Sequence, residues 1–185
     1  LIGWPRTLSW SHFQALTNPG PGVLVARNGQ PIVARVSVSF MFYPGGTLII
    51  TEGGQARFHS VDVRVLLNPA ETQYVPSRLP AQQADYYLRH EQGHFDLMGL
   101  FGRELEVELT NLRAENSQLL HQRARAAVDE ALRSARMYAI NSPGIDCVYD
   151  RETNHGINRA QQERWNRRIA ANLRRWMEPD FRFRM

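Results

Sequence analysis

The sequence predicts an α+β fold in one domain, with strands first and helices after. Three observations predict it. The first third is rich in Val, Ile and Phe and is cut by glycine pairs. The remaining two thirds carry apolar residues at helical spacing. The length of 185 residues suits one ordinary core and is too short for two. The predicted domain covers residues 1–185, with a mainly antiparallel sheet over about 8–75 and three helices over about 80–178.

Val23 to Ala26, Ile32 to Tyr43, Thr47 to Thr51 and Val61 to Leu67 are predicted strands, because β-branched and aromatic side chains fit a pleated, half-buried surface. Asn28-Gly29, Gly45-Gly46 and Gly53-Gly54 separate them as hairpin signals. Arg35 to Phe40 alternates polar with apolar, which predicts one face on a core and one in water. After Pro76 and Pro80, a proline-free helix is predicted from Gln82 to about Leu112, with Leu88, Phe95, Leu97, Met98, Phe101 and Leu105 as its apolar surface. A second helix runs from about Ser117 to Ile140 and carries Leu119, Leu120, Val128, Leu132 and Met137 at helical spacings. Pro143-Gly144 and the polar stretch Tyr149 to Gly156 read as loop. The last helix starts at Asn158, a good N-cap, sets Trp165, Ile169, Leu173 and Trp176 on one face, and stops before Pro179.

All 22 basic residues are arginine, and the net charge of +4 predicts weak attraction to acidic surfaces. The longest apolar runs are strand-sized, so no membrane span is predicted. Cys147 is the only cysteine, which excludes an internal disulfide and any cysteine-based zinc module. The chain begins at Leu1 without a methionine, the pattern of a chain from which a leader has been removed or left off.

His90-Glu91-Gln92-Gly93-His94 carries the chemistry. A helix turns once in about 3.6 residues, so the two imidazoles share a face one turn apart, which is zinc-ligand spacing. Glu91, one step round, is the carboxylate that takes a proton from water. Such a site needs a third protein ligand. Glu104, Glu106 and Glu108 read as the charged face of the motif helix; His121 and Glu115 lie on or near the next. His155, followed by Gly156 in the polar stretch, is either a ligand brought in from the side or an exposed loop histidine. Tyr149 is a candidate donor to an oxyanion, or else a core or rim tyrosine. Asp96, about 200° round from His94, anchors a neighbouring loop, lies on the surface, or supports a ligand. Gly93 costs the helix about 1 kcal/mol against alanine, so it leaves room either for a peptide over the metal or for helix packing.

Trp10-Ser11-His12-Phe13, His90 to Leu97, and Tyr149-Asp150 with Glu152-Thr153, His155-Gly156, Gln161 and Trp165 together resemble a bacterial family of predicted secreted zinc-dependent proteases. The resemblance spans Trp10 to Trp165. It departs at Thr72-Gln73-Tyr74, where a Ser-Trp pair is expected. It implies a zincin-like domain, export to the periplasm or beyond, and His155 as the third ligand.

The expected function is therefore zinc-dependent hydrolysis of a peptide or protein substrate. Zn2+ sits on His90, His94 and His155, Glu91 acts as general base, and Tyr149 is a candidate catalytic donor. One rival is a non-catalytic protein stapled by a structural zinc. The other is an acidic-polymer binder using the arginines of the last helix, which alternate with Trp165, Ile169 and Leu173 as a solvated face would and come with no nucleic-acid motif.

Overall fold

The computed structural model describes residues 2–20, 22–25, 29, 31–45, 48–136, 138–139 and 142–185. Among the described residues eight strands come first: β1 (Ile2–Gly3), β2 (Gln14–Ala15), β3 (Ala34–Arg35), β4 (Val38–Gly45), β5 (Ile49–Ile50), β6 (Ala56–Arg57), β7 (Ser60–Leu67) and β8 (Gln73–Tyr74). Helices α1 (Ala84–Asn111) and α2 (Ser117–Arg136) follow. Then come a small ribbon of β9 (Tyr138–Ala139) and β10 (Ser142–Pro143), and helices α3 (Ile145–Thr153) and α4 (Arg159–Leu173). This is the expected α+β order with four helices, not three, among the described residues.

The strands form small sheets. β7 lies between β1 and β4, antiparallel to both, and β8 lies between β2 and β3. The single strand expected over Ile32 to Tyr43 is two, because the chain leaves one ladder and enters another at Val36-Ser37. Two contacts hold the step. Val36 N–H donates to Glu91 Oε2 at 2.8 Å, and Ser37 N–H donates to Thr72 Oγ1 at 3.1 Å. The hairpin at Gly53-Gly54 joins β5 to β6, with Gly54 at φ 75°. Ala26, Asn28, Gly46, Thr47, Met137 and Ile140, named in the strand, hairpin and helix expectations, lie outside the described residues. The second helix stops at Arg136, four residues short of its expected end.

α1 is the axis of the fold and is buried along much of its length. Phe95, Leu97, Leu100 and Leu109 are fully enclosed between β7, α2 and α4. Each such side chain contributes about 1.5–3 kcal/mol through removal from water. α4 starts where expected: Asn158 Oδ1 accepts from Gln161 N–H at 3.2 Å, and Trp165 and Ile169 face the core. No helix among the described residues is long and apolar enough to cross a membrane.

Asp96 anchors the N-terminal segment to the outside of α1. Its Oδ1 accepts from Trp4 Nε1 at 3.1 Å and from Gln92 Nε2 at 2.9 Å, while Gln92 Oε1 takes Leu8 N–H at 2.6 Å. Burial, opposed by those two hydrogen bonds, pushes the Asp96 carboxyl up to about 6. Asp96→Ala should lower unfolding stability by about 1–3 kcal/mol, the cost of stranding part-buried donors, and Asp96→Asn, which keeps the acceptor, by less. Chemical denaturation of the two variants beside the parent checks this ordering.

Candidate metal site

The site lies where α1 meets α3. Expected as loop, residues 145–153 form a helix, and the left-handed turn at Asn154 and His155 (φ 49° and 52°) closes it. Asn154 N–H returns to Asp150 C=O as its cap. α3 has acids four apart, Asp146 and Asp150, and α1 has imidazoles four apart, His90 and His94. The two pairs face each other.

Asp150 is the centre of the cluster. Its Oδ1 lies 3.1 Å from His90 Nε2, 3.0 Å from His94 Nε2 and 3.1 Å from His155 Nδ1. His90 Nε2 and His94 Nε2 are themselves 3.1 Å apart. Asp146 Oδ1 meets His94 Nδ1 at 2.5 Å. Burial would raise the Asp150 carboxyl, but the charge on His94 and the hydrogen bonds from His155, His90 and His94 hold it well below the usual carboxylate range. Burial alone would depress His94, yet Asp146 and Asp150 outweigh it and hold the imidazole well above its ordinary value. The hydrogen bond to Asp150 raises His155 against its partial burial.

His90, His94 and Asp150 are the described residues whose donor atoms lie close enough together to hold one ion. Atoms bound to one zinc at about 2.0–2.2 Å lie roughly 3–3.5 Å from each other, and the observed spacing matches. The donor set of two imidazoles and a carboxylate is one that zinc takes. His155 reaches the group through Asp150. From the sequence alone Asp150 carries no assigned role and Asp146 is not distinguished from other acids. The signal was present in their four-residue spacing, but a nine-residue helix between Pro143-Gly144 and Asn154 is too short for periodicity to declare it. His121 packs against Phe58, with ring centroids 5.4 Å apart, and Glu115 is exposed.

Glu91 is 4% exposed, with Oε2 held by Val36 N–H, and burial pushes its carboxyl up against the pull of His94 and His90. Tyr149 departs from the role expected of a catalytic donor. It is fully buried, lies outside the cleft lining, stacks on His90 at 4.8 Å between centroids, and donates its hydroxyl to His90 C=O at 3.1 Å. Gly93 is explained by the same residue, since a Cβ there would run into the Tyr149 hydroxyl. A Cβ on Gly156 would meet His90 Cβ and Cγ at 3.2 Å, so the turn after α3 sits directly on the first imidazole.

A cleft of about 510 Å³ opens onto the cluster, walled by Ile32 to Val36 on one side and by α1 and α3 on the other. Arg78 Nη1 holds the first wall by donating to the carbonyls of Val23, Leu24 and Ile32 at 2.9–3.2 Å. The arginines of α4 face solvent, with Arg168 over the Trp165 ring at 5.4 Å.

No family model matches the chain, and no match is found among curated proteins or solved structures.

Gly93→Ala separates two opposing effects. Alanine gains about 1 kcal/mol of helix propensity, but overpacking a filled site typically costs about 1–3 kcal/mol. The variant should come out less stable than the parent in a urea melt, and the loss caused by Gly93→Ala should be smaller in a Tyr149→Phe background, which removes the hydroxyl but leaves the ring carbon Cζ within 2.8 Å of the new Cβ.

Proposed function

We propose that the protein is a zinc-dependent peptide hydrolase. The observation that carries the reading is a cleft floored by His90, His94 and Asp150 with the buried carboxylate of Glu91 beside them. A site that only stapled two helices would need no open cleft and no adjacent base. Zinc, when bound, supplies the Lewis acidity that activates water near neutral pH and polarises a carbonyl.

The chain's own groups do the rest. His90 Nε2, His94 Nε2 and Asp150 Oδ1 hold the ion, with His155 supporting Asp150 and Asp146 supporting His94. Glu91 is fixed through Oε2, which leaves Oε1 to accept a proton from water and pass it to the leaving amine. β3 supplies a docking edge. Val75 N–H donates to Val33 C=O and Arg35 pairs with Gln73, so Ala34 turns its backbone groups away from β8, and no described strand pairs there. An extended peptide adding to that edge would run along the cleft beside Glu91. The resemblance in Trp10 to Trp165 supports the same activity, and on it alone rests the proposal of a periplasmic or secreted setting.

Metal analysis of protein purified without chelators should give about one zinc per chain, abolished by His90→Ala, His94→Ala or Asp150→Ala. His155→Ala, which removes a supporting hydrogen bond, should weaken zinc binding by about 10–100-fold. Loss of the ion in His155→Ala with retention in Asp150→Ala would exchange their roles. Absence of zinc, with no uptake on reconstitution, removes the reading.

Glu91→Gln should keep zinc and lower peptide hydrolysis by about 10²–10⁴-fold, measured on a substrate found by screening the parent against a peptide library. Unchanged hydrolysis would mean that another group activates the water.

A further inference from the structure

We propose that Arg35 and Arg151 make the cleft a site for peptides that carry carboxylates, with Arg35 reading the residue next to the one held by Ala34. The two arginines line the cleft from opposite walls, Arg35 on β3 and Arg151 on α3. Both are exposed, and neither guanidinium has a hydrogen bond or an ion pair among the described residues. The acids of the cleft are already engaged. Glu91 takes Val36 N–H, Asp146 meets His94 Nδ1, and Asp150 Oδ1 faces three imidazole nitrogens. Arg78, which holds the wall that Arg35 stands on, is the contrast, since its Nη1 donates to the carbonyls of Val23, Leu24 and Ile32. The charge left for a ligand is therefore positive, and complementary charge across an interface chooses partners and fixes register.

Strand geometry says where the first carboxylate sits. Successive side chains of a strand point to opposite faces, so Ala34 is buried while Arg35 is exposed. Ala34 turns its backbone groups to the open edge, where one residue of an added peptide strand takes them. The next residue of that peptide lies opposite Arg35 on the same face, with the Cβ atoms about 4.5–5.5 Å apart. An opposite charge at that position is favourable, and a like charge is not. Arg151 follows Asp150 on α3, so it stands across the cleft, one residue from the donor group. The carboxylate can belong to an acidic side chain or to the end of the peptide.

That the bound peptide is a substrate rests on the hydrolase reading above; the preference for carboxylates does not. Fluorescence anisotropy with hexapeptides labelled at the N-terminus tests it, in zinc-loaded protein and again in chelator-treated protein, where no metal takes the carboxylate. The probes carry glutamate, glutamine or arginine at alternate positions, each with a free and with an amidated C-terminus. In both forms of the protein the parent should favour carboxylate-bearing probes by about 1.5–5-fold for each arginine engaged, the range of exposed ion pairs. Arg35→Gln and Arg151→Gln should each remove their share. Arg35→Glu combined with Arg151→Glu should turn the preference to the arginine probe while zinc content stays at the parent value. A glutamate preference among the amidated probes assigns the carboxylate to side chains, and binding that needs the free terminus assigns it to the chain end. One affinity for all probes, no binding of any, a parent that prefers arginine, or a carboxylate preference that the variants leave unchanged overturns the proposal. A parent that shows the arginine-dependent preference but takes up no zinc and cleaves nothing overturns the hydrolase reading instead. If the reversed pair does not fold, the two glutamine variants carry the test.

Discussion

The site depends on the close approach of α3 to α1 over Gly93. With no Cβ at that position, the Tyr149 hydroxyl reaches the backbone of α1 and hydrogen-bonds the carbonyl of His90. Asp146 and Asp150 lie three residues before and one after Tyr149, so seating the tyrosine seats both acids. A helix pair held further apart by even one methyl group would move the carboxylates away from the imidazoles, because packed interiors relax poorly. The glycine's cost in helix propensity is what the architecture exchanges for that approach.

Electrostatics then explains why so many charged groups accept burial. Taking an ion out of water costs several kcal/mol unless it is paired and hydrogen-bonded, and here each has a partner. Asp150 is surrounded by three imidazole nitrogens, His94 lies between two carboxylates, and Glu91 is held by the backbone of Val36. The arrangement brings donor atoms of His90, His94 and Asp150 close enough together to hold a metal ion. The step between β3 and β4 serves the same end, since Val36, where the chain passes from one ladder to the other, gives its amide to Glu91. The sheet wall and the chemistry are joined through that one hydrogen bond.

The outer parts of the fold support this centre from behind. Asp96, on α1 two residues past His94, ties Trp4 to the motif helix, and Gln92 holds the backbone of Arg6 and Leu8. Residues of α1 around the motif therefore divide the work. His90, Glu91 and His94 face the cleft, while Gln92 and Asp96 bind the N-terminal segment. One helix is read from two sides.

The sequence by itself determined the order of strands and helices, the motif helix, the N-cap at Asn158 and the pairing of His90 with His94. These follow from periodicity, propensity and local capping, all of which act within a few residues of chain. Tertiary structure decided what the residues after Pro143-Gly144 become and what they touch. α3 is too short to show its period, and its stability comes from packing Tyr149 against α1 and Trp165 and from the left-handed cap at Asn154. So Asp150 joins His90 and His94 in one donor group, His155 meets Asp150, Tyr149 lies in the core, and Gln162 faces His90 from 72 residues away. Hydrogen-bond partners across such separations are chosen by the shape of the folded core, which no local pattern records.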